Sequence, residues 1–127
     1  LYHAAAVMSC NYLVTLLNIG DNILQAAGLE QSESTDSPLR PLIEQTLQNY
    51  YASSAQRALT GPIARGDHDT VAAHLNALQT SSVGQPVWSD IYRSLGLASV
   101  ALTRRGKLAG SAPLERIEKL LQTDKTL

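Results

Sequence analysis

The 127-residue chain contains no phenylalanine, and it has a single tryptophan and a single cysteine. Its core must therefore be built mainly from Leu, Ile, Val and Ala, and no disulfide can form within the chain. The lone Cys10 falls inside an apolar helical pattern, which predicts a small buried side chain rather than a reactive thiol. A reducing, cytoplasmic location is the simplest expectation.

Positions 1–39 contain no lysine or arginine, and the formal net charge of the whole chain is only −1. Such a balance gives no field that would attract nucleic acid or an acidic membrane surface. The apolar opening segment is interrupted by asparagine and aspartate before it reaches the roughly 18 apolar residues that a membrane span needs. It also lacks the basic start of a signal peptide. We therefore expect neither a nucleic-acid partner nor a membrane partner.

Helical periodicity runs through the chain, and no segment alternates apolar and polar residues as a half-buried strand would. The spacing predicts five helices, over about residues 2–28, 39–58, 67–78, 87–107 and 114–121. Polar or Gly- and Pro-containing stretches separate them. We therefore predict an all-α fold, a bundle of about five helices, with residues 1–127 forming a single helical domain.

The long first helix is apolar almost all the way round, which is typical of a central, buried helix. Gly28 predicts its end. Asp36 or Ser37 predicts the cap of the second helix, and Asp67 predicts that of the third. The helical spacing also predicts core-facing residues on the later helices: Val71, His74, Leu75, Leu78, Val87, Ile91, Leu95, Ala98, Leu102, Leu114, Ile117, Leu120 and Leu121.

A stripe of polar residues interrupts the first helix. Its members, spaced by four, three and four residues, share one face of an α-helix: Asn11, Thr15, Asn18 and Asn22. Amides both donate and accept hydrogen bonds, so this polar stripe could line a ligand cleft. It could equally face solvent, or form a seam in which amides bond across a bundle or a dimer.

His3 lies eight residues before Asn11 in the same predicted helix. His3 is therefore expected about 12 Å from Asn11 along the helix axis and roughly 80° around it. An imidazole is a candidate general acid or base near neutral pH. The alternative is a histidine that only begins the helix.

The connection LTGPIARGD is more specific than a simple loop requires. Thr60, Gly61 and Pro62 predict a tight turn, because glycine tolerates unusual backbone angles and proline restricts the residue before it. Arg65, held between two glycines, could clamp a carboxylate or a phosphate. It could equally pair with Asp67, which is well placed to cap the third helix.

The sequence lacks other common chemical motifs. No Gly-rich phosphate loop follows a strand, and the three histidines have no metal-ligand spacing. We therefore predict no metal site, and we expect this domain alone to bind no cofactor.

Three segments, YHAAAVMSCNYL, LTGPIARGD and TVAAHLNAL, give the chain a resemblance to a known family. From Tyr2 to about Leu108 it resembles the C-terminal helical domain of Rossmann-like, NADP-dependent oxidoreductases, a half that is catalogued as a domain of unknown function. This domain is distantly similar to the C-terminal domains of 6-phosphogluconate dehydrogenase, pyrroline-5-carboxylate reductase and ketopantoate reductase.

The resemblance implies a 6-phosphogluconate dehydrogenase C-terminal-like fold that closes the substrate side of a cleft and builds a homodimer. An N-terminal Rossmann domain, expected before Leu1, would hold NADP or NAD beside a small-molecule substrate. Tyr2, His3, Ser9, Asn11 and the turn from Thr60 to Asp67 match the family's marked positions. The candidate catalytic residues are His3 and Asn11, and the candidate residues of the substrate and cofactor cleft are Ser9, Thr15, Thr60, Gly61, Pro62 and Arg65.

One departure limits what the resemblance implies about mechanism. The related β-hydroxyacid dehydrogenases carry a lysine one helical turn before an asparagine, and here that position is Val7. If a carbonyl or imine is reduced, His3 becomes the candidate proton donor and Asn11 orients the substrate. The competing hypothesis is a helical interaction module without catalysis, in which the polar stripe specifies a partner.

Overall fold

A computed structural model describes residues 1–29, 37–81 and 83–122, and the regular structure in these ranges is entirely helical. The all-α prediction is therefore confirmed for this part of the chain. The helices are α1 (Tyr2–Ala6), a π-helical turn (Val7–Asn11), α2 (Tyr12–Ala26), α3 (Arg40–Ala52), α4 (Ala55–Ala58), α5 (Pro62–Arg65), α6 (His68–Thr80), α7 (Pro86–Gly106) and α8 (Ser111–Gln122).

The chain divides into two compact units, Leu1–Pro41 and Leu42–Leu127. The first unit contains α1, the π-helical turn, α2 and the first two residues of α3. The second contains the rest of α3 and the helices that follow it.

The first unit ends its long helix as the sequence predicts. Gly28 adopts the left-handed conformation, with φ of 80°. The Gly28 amide donates to the Gln25 carbonyl at 3.0 Å, and the Leu29 amide donates to the Leu24 carbonyl at 3.1 Å. These two bonds form a Schellman motif, which satisfies carbonyls that the end of α2 would otherwise leave unpaired.

Ser37 organises the approach to α3. Its hydroxyl donates to the Asp21 carboxylate and accepts from the Leu39 amide at 3.2 Å, and its carbonyl accepts from the Arg40 amide at 3.0 Å. Of the two predicted caps, Ser37 therefore serves this role, and Asp36 lies outside the described residues.

The prediction of a buried first helix is wrong. No residue of α1, the π-helical turn or α2 is buried, and Cys10, predicted to be buried, is exposed as well. Tyr2 and Met8 are 83% and 62% exposed. An apolar sequence indicates that a helix needs covering, but it does not indicate that the same chain provides the cover.

The predicted second helix is also shorter than expected. It stops at Ala52, and α4 begins three residues later. Ser54 is extended, with φ of −130°, and its hydroxyl accepts from the Arg57 amide at 3.3 Å as the N-cap of α4. Serine side chains compete with helical hydrogen bonds in this way, so the break follows from residues that the apolar spacing ignores.

The second unit is organised around α7, which contacts α4, α5, α6 and α8. The buried apolar residues that form the main cluster come from these helices: Ile63, Val71, Leu75, Val100, Leu114, Ile117 and Leu121. The predicted inner positions of α6 and α8 are confirmed for five of these residues, those at positions 71, 75, 114, 117 and 121. His74, also predicted to face inward, is exposed.

The predicted core face of α7 is wrong. Val87 and Leu95 are each 45% exposed. The buried face instead carries Trp88, Gly96, Val100 and Thr103. A Cβ atom at position 96 would lie 3.0 Å from both methyl groups of Leu121, so glycine allows α7 and α8 to approach closely. Two of these four buried residues are glycine and threonine. A prediction from the spacing of large apolar residues ignores both types.

Two arginines of α7 bond to α8. The Arg93 guanidinium donates to the Leu120 carbonyl at 2.7 Å and to the Leu121 carbonyl at 3.4 Å, near the end of α8, where carbonyls lack helical partners. Arg104 and Glu118 form an ion pair at 2.6 Å. Because the second pair is partly exposed, we expect it to contribute little to stability.

Thr103 supplies a stability prediction. It is fully buried, and its hydroxyl oxygen has no hydrogen-bond partner among the described residues. Thr103→Val keeps the shape and removes this unpaired polar atom, so we expect the free energy of unfolding to rise by about 1 kcal/mol in denaturant titrations. Thr46→Val is the control, because the exposed Thr46 hydroxyl donates to the Leu42 carbonyl at 2.8 Å. A loss of stability in Thr103→Val would contradict the assignment.

Candidate functional site

The connection between α4 and α6 contains one complete helical turn between two specialised glycines. Gly61 has φ of 95° and ψ of −173°, a region that only glycine adopts readily, and Pro62 follows it at the start of α5. Gly66 ends α5 in the left-handed conformation, with φ of 71°. The Asp67 amide then donates to the Pro62 carbonyl at 2.8 Å. The unusual composition of this segment therefore sets two sharp changes of chain direction.

Asp67 caps α6, as predicted. One carboxylate oxygen accepts from the Thr70 amide at 3.1 Å, and the other accepts from the Thr70 hydroxyl at 2.7 Å. The hydroxyl bond and then the amide bond are the main causes that hold the pKa of Asp67 below its ordinary value of 3.8, and the positive charge of Arg65 adds to them. The carboxylate is therefore ionised at neutral pH and committed to the cap.

This cap predicts a pH-dependent contribution to stability. Because the folded-state pKa of Asp67 is lowered, the stabilisation is present above its unfolded-state value near 3.8 and is lost as the pH falls through the folded-state pKa. We expect Asp67→Ala to lower the melting temperature at neutral pH, by an amount that shrinks in acid below pH 3.8. Asp90→Ala, at an exposed residue of α7, is the control. An Asp67→Ala difference that does not change with pH would contradict the cap.

Arg65 is the last residue of α5 and is exposed, whereas its neighbours Ile63 and Ala64 are buried. In the described part of the chain it forms no ion pair or hydrogen bond with Asp67, whose carboxylate bonds to Thr70. The sequence left two roles open for Arg65, anion binding and pairing with Asp67. The structure does not show the direct pairing with Asp67. Its guanidinium faces solvent on the surface of the second unit.

The polar stripe lies on the first unit. Asn11, Thr15 and Asn18 are exposed and Asn22 is half-buried. The Thr15 hydroxyl donates to the Asn11 carbonyl at 3.2 Å. Ser9 lies nearly opposite Asn11, because two residues turn a helix by roughly 200°. The helix therefore presents Asn11 and Thr15 together but directs Ser9 to another side.

A π-helical turn, Val7–Asn11, separates His3 from the polar stripe. The Tyr12 amide donates to the Val7 carbonyl, five residues earlier rather than four. Such single turns are rare and are frequent at functional sites. Ser9 and Asn11, two candidates from the sequence, lie inside it. No pattern in the sequence indicated this turn, since its residues fit an α-helix equally well.

His3 is exposed on α1, and its ring meets the ring of Tyr2 edge-on, with centroids 5.7 Å apart. The candidates of the first unit are thus His3, Ser9, Asn11 and Thr15, all on one continuous helical segment. The remaining candidates, Thr60, Gly61, Pro62 and Arg65, belong to the second unit.

Sequence reasoning missed a pair on the second unit. His74 Nδ1 lies 3.0 Å from the Tyr92 hydroxyl, and the two rings are nearly perpendicular. Burial raises the pKa of Tyr92, so its phenol remains protonated and can donate to the imidazole. The pair links α6 to α7 across a partly exposed edge. Its residues lie 18 positions apart, so only the fold brings them together.

The described residues contain no group of three or more His, Cys, Asp or Glu side chains that could hold a metal ion. Among the same residues, no helix combines the length and the apolar character that crossing a bilayer demands.

Over residues 1–29, 37–81 and 83–122 these observations define an all-helical structure, with one set of candidate residues on each unit. Residues 1–99 match the family described as "Domain of unknown function (DUF2520)", and this match covers more than half of the chain. The chain therefore belongs to that family. No curated protein and no solved structure matches it. The match ends within α7, so α8 lies beyond it although α8 supplies three residues of the main core cluster.

Proposed function

We propose that this chain is the substrate-side and dimerisation domain of an NAD(P)-dependent oxidoreductase, inactive without a dinucleotide-binding domain. The observation that carries the proposal is the exposed helical segment of the first unit. It is apolar on most sides yet unburied, and it carries one polar face. Exposed apolar surface of this kind marks an interaction site. A second domain and a second copy of the chain together would cover it.

The polar face supplies groups suited to reducing a C=O or C=N bond. Such a reduction adds a hydride to carbon, which bound NADPH or NADH supplies, and a proton to oxygen or nitrogen. His3 would donate that proton, because an imidazole can serve as a general acid and Val7 replaces the lysine of the related β-hydroxyacid dehydrogenases. Asn11 would orient the substrate by hydrogen bonds, which its amide can both donate and accept.

On the second unit, considered by itself, Arg65 is a candidate anion contact. Its guanidinium is exposed and does not pair with Asp67. A guanidinium that is held beside a rigid turn binds a carboxylate or a phosphate with two parallel hydrogen bonds. We therefore propose that Arg65 binds a carboxylate or a phosphate group.

The enzymatic part of the proposal requires the longer polypeptide in which a dinucleotide-binding domain precedes Leu1. NADPH and NADH consumption should be followed with pyruvate as a 2-oxo acid and 1-pyrroline as a cyclic imine. We expect turnover, a loss of about a hundredfold in His3→Ala, and weaker dinucleotide or substrate binding in Arg65→Ala. If the polypeptide binds neither dinucleotide, the alternative, a non-catalytic helical interaction module, replaces the enzyme.

The dimerisation part can be tested on the 127-residue chain alone. We expect sedimentation to show a dimer that Met8→Glu and Tyr12→Glu dissociate, since both side chains are exposed apolar residues of the first unit. Ala73→Glu places the same charge on an exposed position of α6 and should leave the dimer intact. A monomeric wild-type chain at every accessible concentration would refute this part.

A further inference from the structure

The π-helical turn changes which residues share a face of the first unit. It closes with the bond from the Tyr12 amide to the Val7 carbonyl, and ordinary α-helix continues on both sides. A single i→i+5 turn accommodates one more residue than an α-helical turn does. Side chains after it are therefore rotated back by roughly one residue, about 100°, relative to those before it.

This rotation moves His3 relative to the polar stripe. In an uninterrupted α-helix, the eight residues from His3 to Asn11 would leave their side chains roughly 80° apart. With one residue absorbed by the turn, the angle falls to about 20°. Thr15 and Asn18 follow Asn11 at α-helical spacing, so His3 joins a face that contains Asn11, Thr15 and Asn18. A rotation of this size decides whether the two candidate groups can reach one ligand.

We propose that the Val7–Asn11 turn is the positioning element that makes His3 and Asn11 one binding site for a small carbonyl or imine compound. With one residue absorbed by the turn, the two Cα atoms are separated by roughly 10 Å along the axis. A ligand of a few heavy atoms, hydrogen-bonded to the imidazole at one end and to the amide at the other, spans a separation of this size. Positions 1–39 contain no lysine or arginine, so the imidazole of His3 is the side chain proposed to transfer a proton on this face.

This inference rests on the proposed function, but its test needs no turnover. The 127-residue chain is titrated with pyruvate and, separately, with 1-pyrroline, while NMR follows the His3 ring and the Asn11 side-chain amide. In the wild-type chain we expect one of the two probes to shift both signals with a common dissociation constant. His3→Ala and Asn11→Ala should each raise that constant by roughly tenfold.

The decisive variant inserts one alanine after Cys10, which adds back the residue that the turn absorbs and returns the angle between His3 and Asn11 to roughly 80°. Cys10 is exposed and no residue of the π-helical turn is buried, so the insertion disturbs no core packing. We expect the Asn11 amide to respond to the probe as before, while the His3 ring no longer responds. Cys10→Ala keeps the chain length and should behave like the wild type. The NMR coupling across the hydrogen bond of the Tyr12 amide identifies its acceptor carbonyl in each variant, and so shows whether the π-helical turn is present.

The inference is overturned if both signals respond equally with and without the insertion, if they titrate with different constants, or if neither probe shifts them. The proposed function fails separately. Suppose that the longer polypeptide consumes no NADPH or NADH while His3 and Asn11 still bind a probe jointly. The binding site would then stand, and the proposed oxidoreductase function would be wrong.

Discussion

Ile117→Asp is expected to abolish cooperative unfolding of the second unit. Ile117 is 0% exposed, and it packs in the main core cluster with Leu114 and Leu121 of the same helix. An unpaired carboxylate in this position costs several kcal/mol. That cost is comparable with the total stability of about 5–15 kcal/mol of a typical domain. Trp88 is the chain's only tryptophan and is buried in this unit, so its fluorescence reports the transition.

The matched control is Ala112→Asp, which places the same carboxylate on an exposed position in the first turn of α8. Negative charge is favourable near a helix N-terminus, so this variant should unfold like the wild type. A normal melting transition in Ile117→Asp would show that α8 is dispensable. The expected result would instead show that the folding unit extends past residue 99, where the match to the family ends.

The features that the sequence predicted well are local. Gly28 ends α2 and Asp67 caps α6, because each acts on amides or carbonyls within a few residues of itself. The core faces of α6 and α8 were also predictable. Their buried residues are valine, leucine and isoleucine at helical spacing, and polar residues occupy the opposite faces.

The features that the sequence did not reveal depend on distant contacts. The inner face of α7 includes Gly96. Its lack of a side chain makes room for Leu121, a residue 25 positions later. The first helix was predicted to be buried because it is apolar, yet nothing in its own residues identifies which chain covers it. In both cases the sequence shows how apolar a helix face is. Whether that face is buried depends on which other element packs against it.

The candidate site shows the same division. The polar stripe could be read from spacing alone, since α2 keeps Asn11, Thr15 and Asn18 in regular register. The position of His3 relative to this stripe could not be read from spacing. One π-helical turn changes the angle between His3 and Asn11 around the helix axis, and the sequence gives no sign of that turn. The pair of His74 and Tyr92 was likewise hidden, since two helices must pack before the residues meet.

Gly66→Ala is expected to destabilise the second unit by about 3 kcal/mol, through two effects that act together. The residue has φ of 71°, where a side chain adds about 1–2 kcal/mol of strain. The new Cβ would also lie 2.9 Å from the Cβ of Pro113, closer than carbon atoms tolerate. Because both atoms are fixed by their backbones, relief requires the turn after α5 to move away from the start of α8. Thermal melts followed by Trp88 fluorescence measure the loss.

The steric part can be separated from the strain with Gly61→Ala as the comparison. Gly61 also has positive φ, but a Cβ there would meet no atom within 4 Å, so only strain is expected. Pro113→Gly removes the opposing Cβ. In that background the loss of unfolding free energy caused by Gly66→Ala should be smaller, whereas the loss caused by Gly61→Ala should not change. Equal costs of Gly66→Ala in both backgrounds would mean that contact with α8 does not constrain the turn. A reduced cost would show that the LTGPIARGD segment, and with it Arg65, is held in place by α8.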